Sequence, residues 1–360
     1  MTVMRTKLIY VLTCAPEKHY IEQALMSVWS ARHWNPDAHI VLIVDDLTDK
    51  LFVGKRAEIL DYISEKIVVP FDDASLSMMY RSRFIKTSVR QLIDGDFLFI
   101  DCDTIICKSL AGIDDFGVEV GAVLESHLLV KDYCNALKKK TVEACSQLGV
   151  DLDVEEKYFS SGVLYVKDMP QTHHFYETWH HYWLESQTAG VPFDQPSLAK
   201  TNRDCGHIIE CIPDTYNCIL FTMNNFTELA HILHIAAYRN SSFLFTEKVF
   251  ELLEKQGLTL WIKYAVLHPN DSLLPFDYSV RYSTLGKRLR WINSITGTAS
   301  SINLNLPGLI NDFPMQSSLR KTVIWMFHHG CYQMGATIWM LWKRLQVLRK
   351  HGIKDNICRK

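Results

Sequence analysis

The stretch Asp96-Phe97-Leu98-Phe99-Ile100-Asp101-Cys102-Asp103-Thr104 decides the fold. Its short apolar run has the length and character of a buried strand. The run ends in two carboxylates with one residue between them. Alternate side chains on an extended chain point the same way, so Asp101 and Asp103 are expected to face one direction. Two carboxylates at the carboxyl end of a strand make half of a site for a hard cation. Open α/β sheets collect their ligands at those strand ends. By itself Asp-x-Asp suits an Asx turn equally well, so the surrounding chain has to choose.

Upstream, residues 7–13 read as a first strand. Arg5 and Lys7 followed by an apolar run imitate a short secretion signal, but no small-residue cleavage site follows, and a strand is the better reading. Residues 17–32 have helical spacing, with Ile21, Leu25, Val28 and Trp29 on one stripe. Residues 38–44 form a second buried strand ending at Asp45-Asp46, residues 50–64 a second helix, and residues 66–70 a third strand. This β-α-β-α-β opening predicts a right-handed, doubly wound, mostly parallel sheet flanked by helices. Residues 80–93 are the next helix. It carries Arg81, Arg83 and Lys86 in its first turns, where cations oppose the helix dipole unless an anion joins them. A diphosphate would supply that anion.

Downstream, residues 121–124 are a short strand leading to Glu125, and residues 132–148 a polar-faced helix. The run Tyr158-Phe159-Ser160-Ser161-Gly162-Val163-Leu164 is strand-like, and a glycine there permits close backbone approach. Residues 169–186 form an aromatic-rich helix whose His173, His174, His180 and His181 are spaced as surface or core histidines rather than as metal ligands. Pro192-Phe193-Asp194-Gln195-Pro196 opens a further helix. There Asp194 is either an N-cap or, with Gln195, a polar group facing a ligand. Residues 207–212 and 229–235 are short strands, the second ending at His234, and residues 241–256 an amphipathic helix.

The chain of 360 residues has a formal charge of −2, which argues against a nucleic-acid-binding protein. Its ten cysteines are scattered with no CxxC, as expected for reduced thiols in the cytoplasm. The character changes near residue 271, dividing the chain into 1–270 and a connector with a helical tail, 271–360. From Ser317 onward there are nine Lys or Arg and one acid, Asp355. An uncharged stretch with Trp325, Phe327, Trp339 and Trp342 lies between Lys321 and Lys343. It fits an amphipathic helix either at the inner membrane surface or packed on the protein itself.

Taken in order, these blocks resemble the family 8 glycosyltransferases, retaining enzymes of the GT-A fold that use a nucleotide-sugar donor. The likeness covers roughly residues 7–240. It rests on the helix and Asp-x-Asp strand of residues 80–103, on Tyr158 to Leu164 as a counterpart of the family's YFNxGV segment, on Asp194-Gln195 as its DQD segment, and on His234-Ile235-Ala236-Ala237 as its late HxxG motif. Ser160, Ala237 and Pro196 replace the family's usual Asn, Gly and second Asp, and the first loop lacks the usual Asp-Asn base reader. These departures mark a divergent branch.

The resemblance implies that Asp101, Asp103 and His234 hold one Mn2+ or Mg2+ ion. It implies a donor, most often a UDP-sugar, bound by Thr13, Cys14, Ala15, Glu17, Arg83, Lys86, Cys102, Ser160, Ser161, Gly162 and Arg239 together with the two aspartates. Asp194 and Gln195 become the candidate catalytic pair. A hexose would pass to a saccharide or lipid-linked acceptor of the cell envelope with retention, by same-face substitution. Three rival readings exist, one of them a sugar-nucleotide pyrophosphorylase, which shares the sheet but normally carries a Gly-rich, Arg-containing first loop unlike Cys14-Ala15-Pro16. The string FLFIDCDTI also resembles the first motif of haloacid-dehalogenase-type phosphatases, without their later lysine and acidic pair. A non-catalytic nucleotide-sugar binding protein would keep the fold alone.

Overall fold

The computed structural model describes residues 4–73, 75–133, 135–152, 157–219, 229–235 and 243–269. In chain order the elements begin β1 (Lys7–Leu12), α1 (Tyr20–Trp34), β2 (Ile40–Asp45), α2 (Asp46–Asp49) and β3 (Glu65–Val69). They continue with α3 (Met78–Thr87), α4 (Val89–Leu92), β4 (Phe97–Ile100), β5 (Thr104–Ile106), β6 (Val120–Ala122), α5 (Asn135–Ser146) and β7 (Val163–Val166). The remainder is α6 (Pro170–Thr188), α7 (Asp194–Asp204), β8 (Ile209–Cys211), β9 (Cys218–Ile219), β10 (Ile232–His234), α8 (Glu247–Gln256) and α9 (Leu260–Leu267).

Among the described residues, seven strands form one sheet in the order β3-β2-β1-β4-β7-β6-β8. The β1–β2, β2–β3, β1–β4 and β6–β8 pairs are parallel, as the βαβ opening requires. β7 runs antiparallel to both β4 and β6, so the sheet is mixed. Strand alternation divides the core between its two faces. Leu8, Tyr10, Leu42, Leu98 and Ile100 pack with α1, α8 and α9 on one side. Ile9, Val11, Val41, Phe97 and Phe99 pack with α3, α4 and α6 on the other. A second, three-stranded sheet, β5-β10-β9, sits against the end of β4, with β10 antiparallel to β5 so that His234 lies beside Thr104.

Among the elements that differ from their sequence reading are two helices. The second helix is a 3-10 turn over Gly54–Asp61. The cationic helix starts earlier, with the Ser77 side chain accepting from Tyr80 N–H, and breaks at Ser88. The Thr87 and Ser88 hydroxyls there donate to the carbonyls of Arg83 and Phe84, both at 2.8 Å, a competition that bends helices. Among the described residues no helix is long and apolar enough to cross a membrane. The connector and tail, 271–360, lie outside the described residues.

The bend at Ser88 brings the fully buried Arg90 under the loop that feeds β4. Its guanidinium donates to the Ile93 carbonyl and to Gly95 O at 2.9 Å, lies 4.8 Å from the Phe97 ring centre, and pairs with Asp168 at 3.6 Å. Asp168 in turn accepts from Gly95 N–H and meets His173 Nε2 at 2.7 Å. Replacing Arg90 by Leu strips these carbonyls of a donor and Asp168 of its cation. The cost is about 2–4 kcal/mol, a fall in Tm of roughly 5–12 °C that thermal unfolding followed by circular dichroism would register.

Candidate active site

β1 and β4 are the neighbours at which the chain changes direction across the sheet, and a cleft opens at their carboxyl ends, as that topology predicts. It encloses about 720 Å³, the size of a small-molecule or cofactor site. Thr13 stands on it after β1, and Asp101, Cys102 and Asp103 after β4. α3 contributes Arg83 and Lys86, the segment before β7 contributes Ser160, Ser161 and Gly162, α7 contributes Asp194 and Gln195, and β10 contributes His234. Residues separated by more than two hundred positions are thereby brought to one wall.

The chain leaves strand geometry at Ile100, so Asp101 and Asp103 sit on a bend between β4 and β5 rather than on alternate positions of one strand. The bend is pinned on both sides: Asp101 N–H donates to Gly162 O at 2.8 Å, and Ile235 N–H donates to Asp103 O at 2.9 Å. The two carboxylates still converge. One ligand atom from each of Asp101, Asp103 and His234 lies within 4.8 Å of the others, and His234 Nε2 is 3.2 Å from Asp103 Oδ1. Two carboxylates and one imidazole suit Mn2+ or Mg2+. The backbone is shaped to the group. A Cβ on Gly162 would stand 2.4 Å from His234 Cε1 and 2.9 Å from Asp101 Oδ2, so only glycine leaves these side chains where they are.

Lys86 is the electrostatic hub. Its ammonium is 3.2 Å from Asp101 Oδ1, 3.1 Å from Asp194 Oδ2 and 3.2 Å from Ser161 Oγ, and lies 4.9 Å from the Phe99 ring centre. Arg83 Nε is 3.5 Å from Asp194 Oδ1. Burial by itself would raise the Asp194 pKa. Lys86 and Arg83 outweigh it and hold this carboxyl far below the usual range. Burial raises the Asp101 pKa, with the Asp103 charge adding to it and Lys86 opposing it. Burial presses Asp103 the same way, but His234 reverses the sign and leaves its pKa lowered. His234 is the counterpart: burial lowers its pKa and Asp103 more than restores it.

Asp194 is not the N-cap of α7. Phe193 has the extended cap geometry, and the Asp194 side chain turns instead to Lys86 and Arg83. Its backbone carbonyl accepts from Trp179 Nε1 at 3.1 Å, which ties α6 to the start of α7. Gln195 Nε2 donates to Glu125 Oε2 at 2.7 Å. Glu125 lines the cleft too, and its position just beyond β6 is the strand-end signal that marks it in the sequence. It opens a strained turn: Ser126 and His127 both have positive φ, 60° and 52°, without being glycine.

Other expected site residues lie elsewhere. Cys14 is a core thiol, its N–H bonded to Thr48 Oγ1 at 2.7 Å and its pKa pushed up by burial. Neither it nor Ala15 or Glu17 lines the cleft, because the loop after β1 turns toward α1. Arg239 lies outside the described residues. Arg81 needs no diphosphate: it pairs with Asp45 and donates to the Leu76 carbonyl. Tyr20, Gln23, Met78, Met79, Ser82, Phe193 and Ile219 also line the cleft, and their residue types gave no hint of it. The α6 histidines lie off the cleft, with His180 on Thr87 and His181 on Glu185. Another cluster, His19, Glu22 and Glu254, is already answered by Arg56, 2.7 Å from Glu22 and 3.4 Å from Glu254.

No protein-family model matches the sequence, and no curated protein matches it. Among solved structures, the chain is similar to mouse xyloside xylosyltransferase 1 in its apo form, at 13% identity over 64% of this chain and 98% of that one, with a TM-score of 0.43. It is similar to the galactosyltransferase LgtC in complex with donor and acceptor sugar analogues, at 14% identity over 71% and 97% of the two chains and a TM-score of 0.47. It is also similar to the apo glycosyltransferase GlyE of Streptococcus pneumoniae TIGR4, at 14% identity over 74% and 63% with a TM-score of 0.46. Likeness at this level carries no chemistry, which has to come from the cleft.

Gly162→Ala tests the cleft's steric logic, since φ at this position does not demand glycine. The variant is expected to fold with a Tm within about 5 °C of the parent. It should bind Mn2+ at least about tenfold more weakly in an electron paramagnetic resonance titration, because a ligand displaced by a few tenths of an ångström loses its geometry.

Proposed function

We propose that this chain is a divalent-metal-dependent glycosyltransferase that moves a hexose from a nucleoside-diphosphate sugar to a saccharide or lipid-linked acceptor. The observation that supports this best is the joint placement of Asp101, Asp103 and His234 with Lys86 and Arg83 on one wall of the cleft. Such a wall would suit a diphosphate: Asp101, Asp103 and His234 would hold a cation that supplies positive charge to it, with two cationic side chains beside them.

The bound Mn2+ or Mg2+ would neutralise charge on the departing nucleoside diphosphate. The remaining work falls to the chain. Lys86, Arg83 and the Ser161 hydroxyl orient the phosphates and stabilise the charge that develops as the sugar C1–O bond breaks. The bond's electron pair leaves with the phosphate oxygen. The acceptor oxygen bonds to C1 on the same face, and its proton passes to that phosphate oxygen. Asp194 is a poor candidate for a covalent nucleophile, because both of its oxygens face cations and its charge is already spent on them. It serves better as the anion that sets Lys86 and Arg83 in place. Gln195, anchored on Glu125, presents a neutral amide to the sugar. Retention of configuration follows from this reading. A haloacid-dehalogenase-type phosphatase would instead use Asp101 as the attacking group and Asp103 as acid/base, whereas here Asp103 is paired with His234 at 3.2 Å.

Thermal melting across a panel of nucleoside diphosphates and nucleotide sugars, with and without Mn2+, tests the proposal. One nucleotide at about one hundred times its Kd should raise the apparent stability by about 2.7 kcal/mol, a shift of roughly 5–10 °C, only when Mn2+ is present. Asp101→Asn should abolish that shift. A response to phosphomonoesters alone would favour the phosphatase. The anomeric configuration of the product, read by proton NMR, is expected to match that of the donor, and inversion would overturn the same-face step.

A further inference from the structure

Asn217 is a buried residue whose role the metal-dependent reading does not explain. It closes a 3-10 turn, Asp214–Asn217, immediately before β9, and its side chain is fully buried. Its Oδ1 is 2.9 Å from His234 Nδ1, and its Nδ2 donates to Ser160 Oγ at 3.4 Å. With the amide nitrogen engaged by Ser160, the oxygen is the atom offered to the imidazole. A carbonyl oxygen can only accept, so Nδ1 must carry a proton. The opposite ring nitrogen, Nε2, is the one that faces Asp103 at 3.2 Å.

We propose that Asn217 is a positioning residue for the cation site: by holding the proton on His234 Nδ1 it leaves the Nε2 lone pair for the metal and locks the ring's orientation. This rests on the metal-dependent reading given above. Ligating histidines commonly donate their second N–H to a fixed acceptor, which sets both tautomer and ring angle. Here the acceptor is rigidly mounted. Cys218 and Ile219, next in the chain, pair in parallel with Leu233 and His234. The Tyr216 ring stacks on His231 with centroids 4.4 Å apart and planes 4° from parallel. His231 N–H donates to Thr215 O at 2.7 Å. The turn that carries Asn217 and the strand that carries His234 are thus one unit, and Gly162 closes the other side of the ring. Ser160 joins the same arrangement, which gives the serine at that position a task of its own.

The test compares the full chain with Asn217→Ala and Asn217→Asp, titrated with Mn2+ alone and followed by electron paramagnetic resonance, with electron spin-echo detection of directly bonded nitrogen. The parent is expected to show a nitrogen ligand. Asn217→Ala should bind Mn2+ about 10–100-fold more weakly and lose or diminish the nitrogen coupling. Asn217→Asp still accepts from Nδ1–H and should stay within about threefold of the parent, with the coupling intact. A purely structural role would lower Tm in both variants without touching the nitrogen coupling, and that result overturns the proposal. So does an Asn217→Ala protein that binds Mn2+ as the parent does, or an aspartate variant as weak as the alanine one. If the alanine variant does not fold, the parent and aspartate spectra decide: the nitrogen ligand must be present in both. A parent that binds no Mn2+ at all overturns both this inference and the metal-dependent function. A parent that binds Mn2+ through nitrogen, beside an unchanged alanine variant, removes only the role of Asn217.

Discussion

The Lys86 ammonium is the interaction on which the cleft depends. Three carboxylates, Asp101, Asp103 and Asp194, meet at the end of the sheet, two of them within reach of this one cation. Unpaired charges in such a place would be expelled or neutralised at a cost of several kcal/mol each. Lys86 occupies the centre because α3 is docked against the sheet through Ile85, and its ammonium lies over the Phe99 ring. The charge arrangement and the hydrophobic packing therefore stand or fall together. A shift of α3 would leave both aspartates without their partner.

The same arrangement would shape the proposed reaction. A carboxylate already matched by an ammonium and a guanidinium has little electron density to offer a sugar carbon, so under the proposed reaction Asp194 would order its neighbours instead of attacking. Catalysis would then fall to preorganised charge, which works best where water is scarce and dipoles are fixed beforehand. The walls of the cleft supply that rigidity. Asp101 is bonded to the Gly162 backbone, Asp103 to that of Ile235, and Asp194 to the Trp179 indole. Each charged group is held through its main chain by a different element.

Much of this was legible in the chain because it obeys short-range rules. The strand of residues 97–100, the alternation that sends Leu98 and Ile100 to one face and Phe97 and Phe99 to the other, and the βαβ opening all follow from hydrophobic period. The Asp-x-Asp pair was legible as chemistry, although for an imperfect reason. The carboxylates converge through a bend held by Gly162 and Ile235, not through alternation on a strand. Thr87 and Ser88 broke an expected helix by bonding back to their own backbone, a competition that propensity alone does not resolve. Arg81 has the residue type and place of an anion-site cation, but its partner is Asp45, 36 residues away in sequence.

The sequence by itself determined most of the elements, the parallel start of the sheet and the two carboxylates of the candidate cation site, because local periodicity and strand-end chemistry act over a few residues. Only the tertiary structure decided which polar groups share a site. Asn217 reaches His234, Glu125 reaches Gln195 and Lys86 reaches Asp194 across gaps of 17, 70 and 108 residues. Nothing in the residues at either end of those gaps encodes the distance. It is set by the antiparallel insertion of β7 and by the small sheet that carries β10, where backbone hydrogen bonding in three dimensions places each donor against its acceptor.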